Sequence, residues 1–267
     1  MTSPTAETSP TRLDVTMRIE DSVVLVTGAA RGLGRAFVDE LAARGARKIY
    51  AAARNPDRVQ GPGIPVELDI TRPDQVFAAA VECDDVDLLV NNAGVMTSSP
   101  FLEAPTMDGA RQEIETNYLG TLAMCRAFAP VLAANGGGAI VNMLSVTSFF
   151  TNPDNGSYGA SKAAAWALTN GVRIELARQG TLVVGVHAGF IDTEMVTELA
   201  RDLPKSRPED VARQVFDGVE AGQVEVLADA RTRRIKSLLP EDHEKIYPAV
   251  QERWDAAHPG PGAPGAT

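Results

Sequence analysis

The chain is short of cysteine, histidine, positive charge and long apolar runs, and each shortage closes off a class of function. Its two cysteines, Cys83 and Cys125, sit in no short secreted framework, which excludes a disulfide scaffold and leaves both reading as reduced, packed thiols. Three histidines, His187, His243 and His258, show no mutual spacing suited to a metal, so none is expected. Lys and Arg total 25 against 35 Asp and Glu, a net charge of −10 that would repel nucleic acid or an anionic membrane. No run approaches the roughly 18 apolar residues of a membrane span, and the opening "MTSPTAETSPTR" lacks the apolar core of a secretion signal. The expectation is a soluble, cytoplasmic protein with neither nucleic acid nor membrane as partner.

What is present is ample apolar material: 44% of 267 residues, enough for one large core. Short β-branched runs recur at "SVVLVTG", "KIYAAAR", "IPVELDI", "DLLVNNAG", "AIVNMLS", "VVGVHAG" and "VEVLAD". Most are apolar throughout, the pattern of strands buried on both faces. Helical periodicity fills the gaps: Leu33, Phe37 and Leu41 share one face, Gly45 stands at a helix end, and Pro73 and Pro208 suit first turns. Alternating strands and helices predict an α/β fold, a single doubly wound parallel sheet of about seven strands with helices on both faces. Residues 21–239 carry that pattern, residues 1–20 read as a flexible extension, and residues 240–267 as a C-terminal helix and a Pro/Gly-rich tail. Long helices are expected over about Thr106 to Ala134 and Asn155 to Arg178.

The first strand ends in "VTGAARGLG", placing Gly28, Gly32, Leu33 and Gly34 at the start of an amphipathic helix. Glycines let backbone approach a pyrophosphate closely, and a helix N-terminus offers free N–H groups and positive partial charge. A glycine-rich turn without ligand is the plain alternative. Where an NAD site places an acid after the second strand, this chain reads Ala53 then Arg54, with Arg31 inside the glycine loop. Guanidinium groups grip a 2′-phosphate bidentately, which favours NADP(H), unless both arginines are simply solvated.

The Gly-x-x-x-Gly-x-Gly spacing, "NNAG" at 91–94, "TNYLG" at 116–120, Ser145, and Tyr158-x-x-x-Lys162 together resemble the short-chain dehydrogenase/reductase family over about residues 22 to 229, in its NADP-preferring branch. The resemblance implies a Rossmann-like fold, NADP(H) as cofactor and a homodimer or homotetramer built through the long helices. It implies Asn117, Ser145, Tyr158 and Lys162 as the catalytic set, with Asn117 supporting a water relay and Lys162 also holding the nicotinamide ribose. Asp69, Asn91 and Thr193 match positions near adenine, adenosine ribose and nicotinamide amide, and Ala93, Gly94 and Gly189 join them along the cofactor. Two departures stand out: Ala188 replaces the proline usual before Gly189, and Leu144 replaces a serine beside the catalytic one.

Physics gives the Tyr158–Lys162 pair a purpose. Residues four apart share a helix face, and a free tyrosine with a pKa near 10 exchanges protons poorly at neutral pH. A cation about 4 Å away, at an effective dielectric of about 20, supplies the roughly 4 kcal/mol that would bring it to about 7. The expected activity is therefore carbonyl–alcohol interconversion with Tyr158 as general acid/base and Ser145 as hydrogen-bond donor. A non-catalytic dinucleotide sensor and a nucleotide-sugar epimerase or dehydratase are the alternatives. The substrate should lie near Met96, Phe149, Phe150, Phe190 and Met195, an apolar set implying an apolar molecule, under a small lid from about Val196 to Arg207.

Overall fold

Seven apolar runs become seven strands because no other local structure lets them bury both faces while pairing their backbones. The computed structural model describes residues 16–195 and 203–258. The strands are β1 (Val23–Thr27), β2 (Lys48–Ala53), β3 (Ile64–Glu67), β4 (Leu88–Asn91), β5 (Ala139–Met143), β6 (Leu182–His187) and β7 (Glu225–Leu227). They form one parallel sheet in the order β3-β2-β1-β4-β5-β6-β7. Every residue of β1, β4, β5 and β6 is buried, whereas edge strand β3 exposes three of its four. The chain leaves β3 at one edge and returns beside β1 as β4, pairing Val24 with Leu88. This reversal opens a crevice beyond the carboxyl ends of β1 and β4, where the glycine loop emerges.

Helix α1 (Gly32–Ala43) packs Phe37 edge-on against Phe216 of α6 (Pro208–Glu220), closing one face of the sheet. Gly45 follows α1 with φ +80°, the left-handed ending its sequence position implied. The other face is covered by α2 (Pro73–Glu82), α4 (Thr121–Ala134) and α5 (Gly156–Leu176), around Met124, Phe128 and Leu132.

The first long helix differs from its expected regularity. It divides into α3 (Asp108–Ile114), a π-helical segment at Glu115–Gly120, and α4. Asn117 lies in the π segment, where wider winding redirects side chains, a device common at functional sites. The chain ends in α7 (Ala230–Ser237), α8 (Asp242–Lys245) and α9 (Tyr247–Ala257). Ile246 and Val250 pack against Val146 and Phe150, so these helices sit on the loop after β5. Ile19, inside the stretch expected to be extension, is fully buried in the core. The first 15 residues, the Pro/Gly-rich tail from 259, and residues 196–202 of the expected lid lie outside the described residues. No helix among the described residues is long and apolar enough to cross a membrane, and none of their acidic, histidine and cysteine side chains cluster as a metal site.

Candidate active site

A cleft of about 560 Å³ follows the switch point. At one end lie Gly28, Arg31, Gly32, Leu33 and Gly34 with Arg54, Arg58 and Asp69; along its floor lie Ala93, Gly94, Ser145, Tyr158 and Lys162; at the other end lie Met96, Phe150, Phe190 and Met195. Gly189 and Thr193 border it as well.

The glycine loop has the geometry of a phosphate cradle. Gly28 and Gly32 hold φ +67° and +53°, and a Cβ on Gly34 would run into the Gly28 carbonyl oxygen. Arg31 is the N-cap of α1, yet no side chain caps the helix, so its first-turn N–H groups lack side-chain partners. A Cβ on Gly94 would come within 3.0 Å of Asn117 Oδ1 and 3.4 Å of Lys162 Nζ, so backbone alone fits there. These features fit a dinucleotide. Arg31 pairs with Glu194, both more than two-thirds exposed, whereas Arg54 has no ion pair among the described residues.

Ser145 is held from every side. It N-caps the short turn Val146–Ser148, its N–H donates to Ser148 Oγ at 3.1 Å, and its carbonyl accepts from His187 Nδ1 at 3.1 Å. Its Oγ accepts from the Thr147 N–H at 3.2 Å and hydroxyl at 2.9 Å, which turns the Ser145 proton toward Tyr158 and the cleft. His187 is fully buried and stacked on Phe149, with centroids 4.0 Å apart; burial pushes it down to about 4, so it is neutral. Its packing role was expected, but its grip on Ser145 gave no sequence signal.

The expected tuning of Tyr158 by Lys162 is corrected by the structure. The ammonium donates to the Met143 carbonyl at 2.9 Å and stands 5.9 Å from the phenol ring centroid. Burial pushes Lys162 down to about 8. Burial pushes Tyr158 up to about 12, opposed by a hydrogen bond with Ser145. Loss of solvation outweighs a cation tied elsewhere, so the phenol keeps its proton at neutral pH.

Two further placements are corrections. Asn91 ends β4 facing away from the cleft and donates to Asn142 Oδ1 at 2.9 Å. The next residue, Asn92, lines the cleft and donates to the Thr27 carbonyl at 2.9 Å, because successive strand residues face opposite ways. Phe149 likewise turns inward against His187 and Trp166, leaving Phe150 in the cleft. Asn117 stands behind the floor: its Nδ2 donates to the Val95 carbonyl and Ser161 Oγ, each at 2.9 Å, and its Oδ1 accepts from the Val95 N–H at 2.8 Å. One turn earlier the fully buried Glu113 accepts from Thr97 and from Ser157, Tyr158's neighbour. Its four-residue spacing from Asn117 was the available hint.

Ala188 is less loose than proline's absence implied: its carbonyl accepts from Val146 at 2.8 Å, and the Gly189 N–H donates to Asp229 Oδ2 at 2.6 Å. Leu144 packs beside Gly185 and also borders the cleft.

Residues 22–204 match the short chain dehydrogenase family. A crystal structure of a short chain dehydrogenase from Burkholderia cenocepacia J2315 in complex with NADP is 42% identical, covering 88% of this chain and 99% of that one, with a TM-score of 0.82. A short chain dehydrogenase/reductase from Burkholderia phymatum in complex with NAD is 25% identical, with a TM-score of 0.74 over 85% of this chain and 96% of that one. An uncharacterized oxidoreductase of Staphylococcus aureus strain MRSA252 is 30% identical over 211 residues, 74% of this chain and 90% of the relative. With motif order, sheet topology and these likenesses in agreement, the chain belongs to the short-chain dehydrogenase/reductase family of oxidoreductases.

Proposed function

We propose that the protein is an NADP(H)-dependent oxidoreductase interconverting a carbonyl and an alcohol, with Tyr158 as general acid/base. The carrying observation is that Ser145, Tyr158 and Lys162 line the same cleft as an uncapped glycine-rich helix N-terminus. Gly28, Gly32, Leu33 and Gly34 would cradle the pyrophosphate, Arg31 and Arg54 the 2′-phosphate, with Asp69, Ala93 and Gly94 along the adenosine and Gly189 and Thr193 toward the nicotinamide. NADP as the ligand of the Burkholderia cenocepacia relative supports this preference. When bound, the cofactor supplies or accepts the hydride.

In the reduction direction Ser145 donates a hydrogen bond to the substrate oxygen, polarising the carbonyl. Tyr158 delivers its proton to that oxygen as the carbon gains hydride, and the phenolate left behind is stabilised by the nearby Lys162 ammonium before a solvent proton restores it. A phenol protonated at neutral pH suits this step. Lys162 also holds the nicotinamide ribose, and Asn117 supports the route by which the proton returns.

NADPH fluorescence tests the proposal: steady consumption with a panel of carbonyls supports it, and saturable binding without consumption of any of them sinks it. We read the assembly as a homodimer or homotetramer through α4 and α5. Ala167 is exposed and a Cβ on Gly171 would meet nothing, so these small residues are not spent on packing within one subunit. A monomer mass by light scattering at micromolar concentration would refute it.

A further inference from the structure

The substrate end of the cleft is not the apolar pocket its phenylalanines and methionines imply. Two guanidinium groups, from Arg231 in the first turn of α7 and Arg253 on α9, line it. Neither has an ion pair among the described residues, unlike the partly buried Arg35 and Arg44, which are matched to acids. The acid nearest in sequence, Asp229, is spent: one oxygen accepts from the Thr232 N–H at 2.8 Å, and the other from the Thr232 hydroxyl at 2.8 Å and the Gly189 N–H at 2.6 Å. Arg231 is half-buried, and its guanidinium lies 4.7 Å from the centroid of Phe190, a platform that fixes its plane and leaves its N–H edge open. Burial and then the neighbouring Arg253 press Arg231 below its ordinary pKa against the opposing pull of Asp229, so two like charges stand close at this end of the cleft, one half-buried and one exposed. A charge pair of this kind is relieved by an anion presenting two oxygens to one planar fork.

We infer that the substrate carries a carboxylate, held by Arg231 and Arg253, on the same molecule as the carbonyl or alcohol that meets Ser145 and Tyr158. The inference rests on the proposed oxidoreductase reading for the second half of that statement, and its test is arranged to separate the two.

Linear oxo acids and their methyl esters are titrated into the full-length protein with NADP bound, by calorimetry, and are also assayed as substrates. The acids should bind at least about 10-fold more tightly than their esters. Arg231→Met should remove that preference while leaving ester binding and NADPH affinity unchanged. Arg253→Met, on an exposed helix position that cannot unfold the core, should narrow it by several-fold. This binding pattern upholds the carboxylate site even where no compound is turned over, in which case only the redox reading falls. Equal binding of acids and esters by the wild-type protein overturns the inference. So does an acid preference that survives both substitutions, or tighter binding of phosphate-bearing ketones than of any oxo acid.

Discussion

The inner wall and the outer rim of the same cleft are built on opposite principles. Ser145 and Lys162 on the inner wall are buried, bonded to backbone, and joined by a phenol whose proton affinity burial has moved. On the rim, Arg31, Arg54 and Arg58 are exposed and stand in water. Electrostatic effects grow as solvent is excluded, so the wall can change proton affinities whereas the rim can only select by charge and shape. The proposed chemistry and the proposed cofactor choice thus fall in regions of different dielectric, and substitutions should divide accordingly.

The sharpest test of the wall is Tyr158→Phe, which removes one hydroxyl from the cleft. Turnover should fall by about 10² to 10⁴-fold while NADPH affinity stays within about twofold. Near-normal reduction would make the pair structural and erase the contrast. At the rim, Arg54→Ala should weaken NADPH by roughly 10- to 100-fold, read by fluorescence titration, and leave NADH almost untouched. Equal wild-type affinity for both cofactors would remove the rim's selective role.

The wall should also carry a stability cost that the rim does not. Lys162 has its pKa lowered from 10.5 to about 8, so the unfolded state binds more protons between those values and folding stability rises with pH across that window. The deficit is complete below about pH 8 and absent above about 10.5. Lys162→Met should therefore abolish activity yet raise the melting temperature at pH 7, by about 1–3 kcal/mol of stability, with the gain shrinking as pH climbs. A destabilised variant at pH 7 would contradict this. The smallest effect belongs to Glu194→Gln, which frees Arg31 from its exposed pair. It should tighten NADPH about two- to fivefold at low salt and hardly at all at high salt, with no change in melting temperature.

Much of this was legible from the chain. Buried parallel strands announce themselves as continuous apolar runs, and the glycine loop, Ser145, Tyr158 and Lys162 are tied to local geometry that their spacing encodes. Facing is harder to read. Asn91 and Asn92, like Phe149 and Phe150, are neighbours pointing opposite ways, and only strand pairing and the turn after Ser145 decide which enters the cleft. The π segment at Asn117 escaped because a helical pattern of apolar residues does not distinguish 3.6-residue winding from a wider turn. The proton affinity of Tyr158 was misjudged for a related reason: spacing on a helix places two groups on one face but cannot reveal that Met143 has taken the ammonium. Arg231 and Arg253 were invisible as a pair, since they lie on separate helices, α7 and α9, that only the tertiary fold brings to one cleft.

The seating of α7 to α9 on Val146 and Phe150 separates two kinds of inheritance. The family model ends at 204, before α6 begins, and both substrate-end arginines arrive after it, although the likeness to the Burkholderia cenocepacia structure extends over 88% of the chain. Under the inferred carboxylate site, rewriting α7 and α9 alone would exchange the molecule chosen and leave Ser145, Tyr158 and Lys162 in place. Grafting α7 to α9 between two such proteins should then move the choice of molecule and leave the chemistry with its owner.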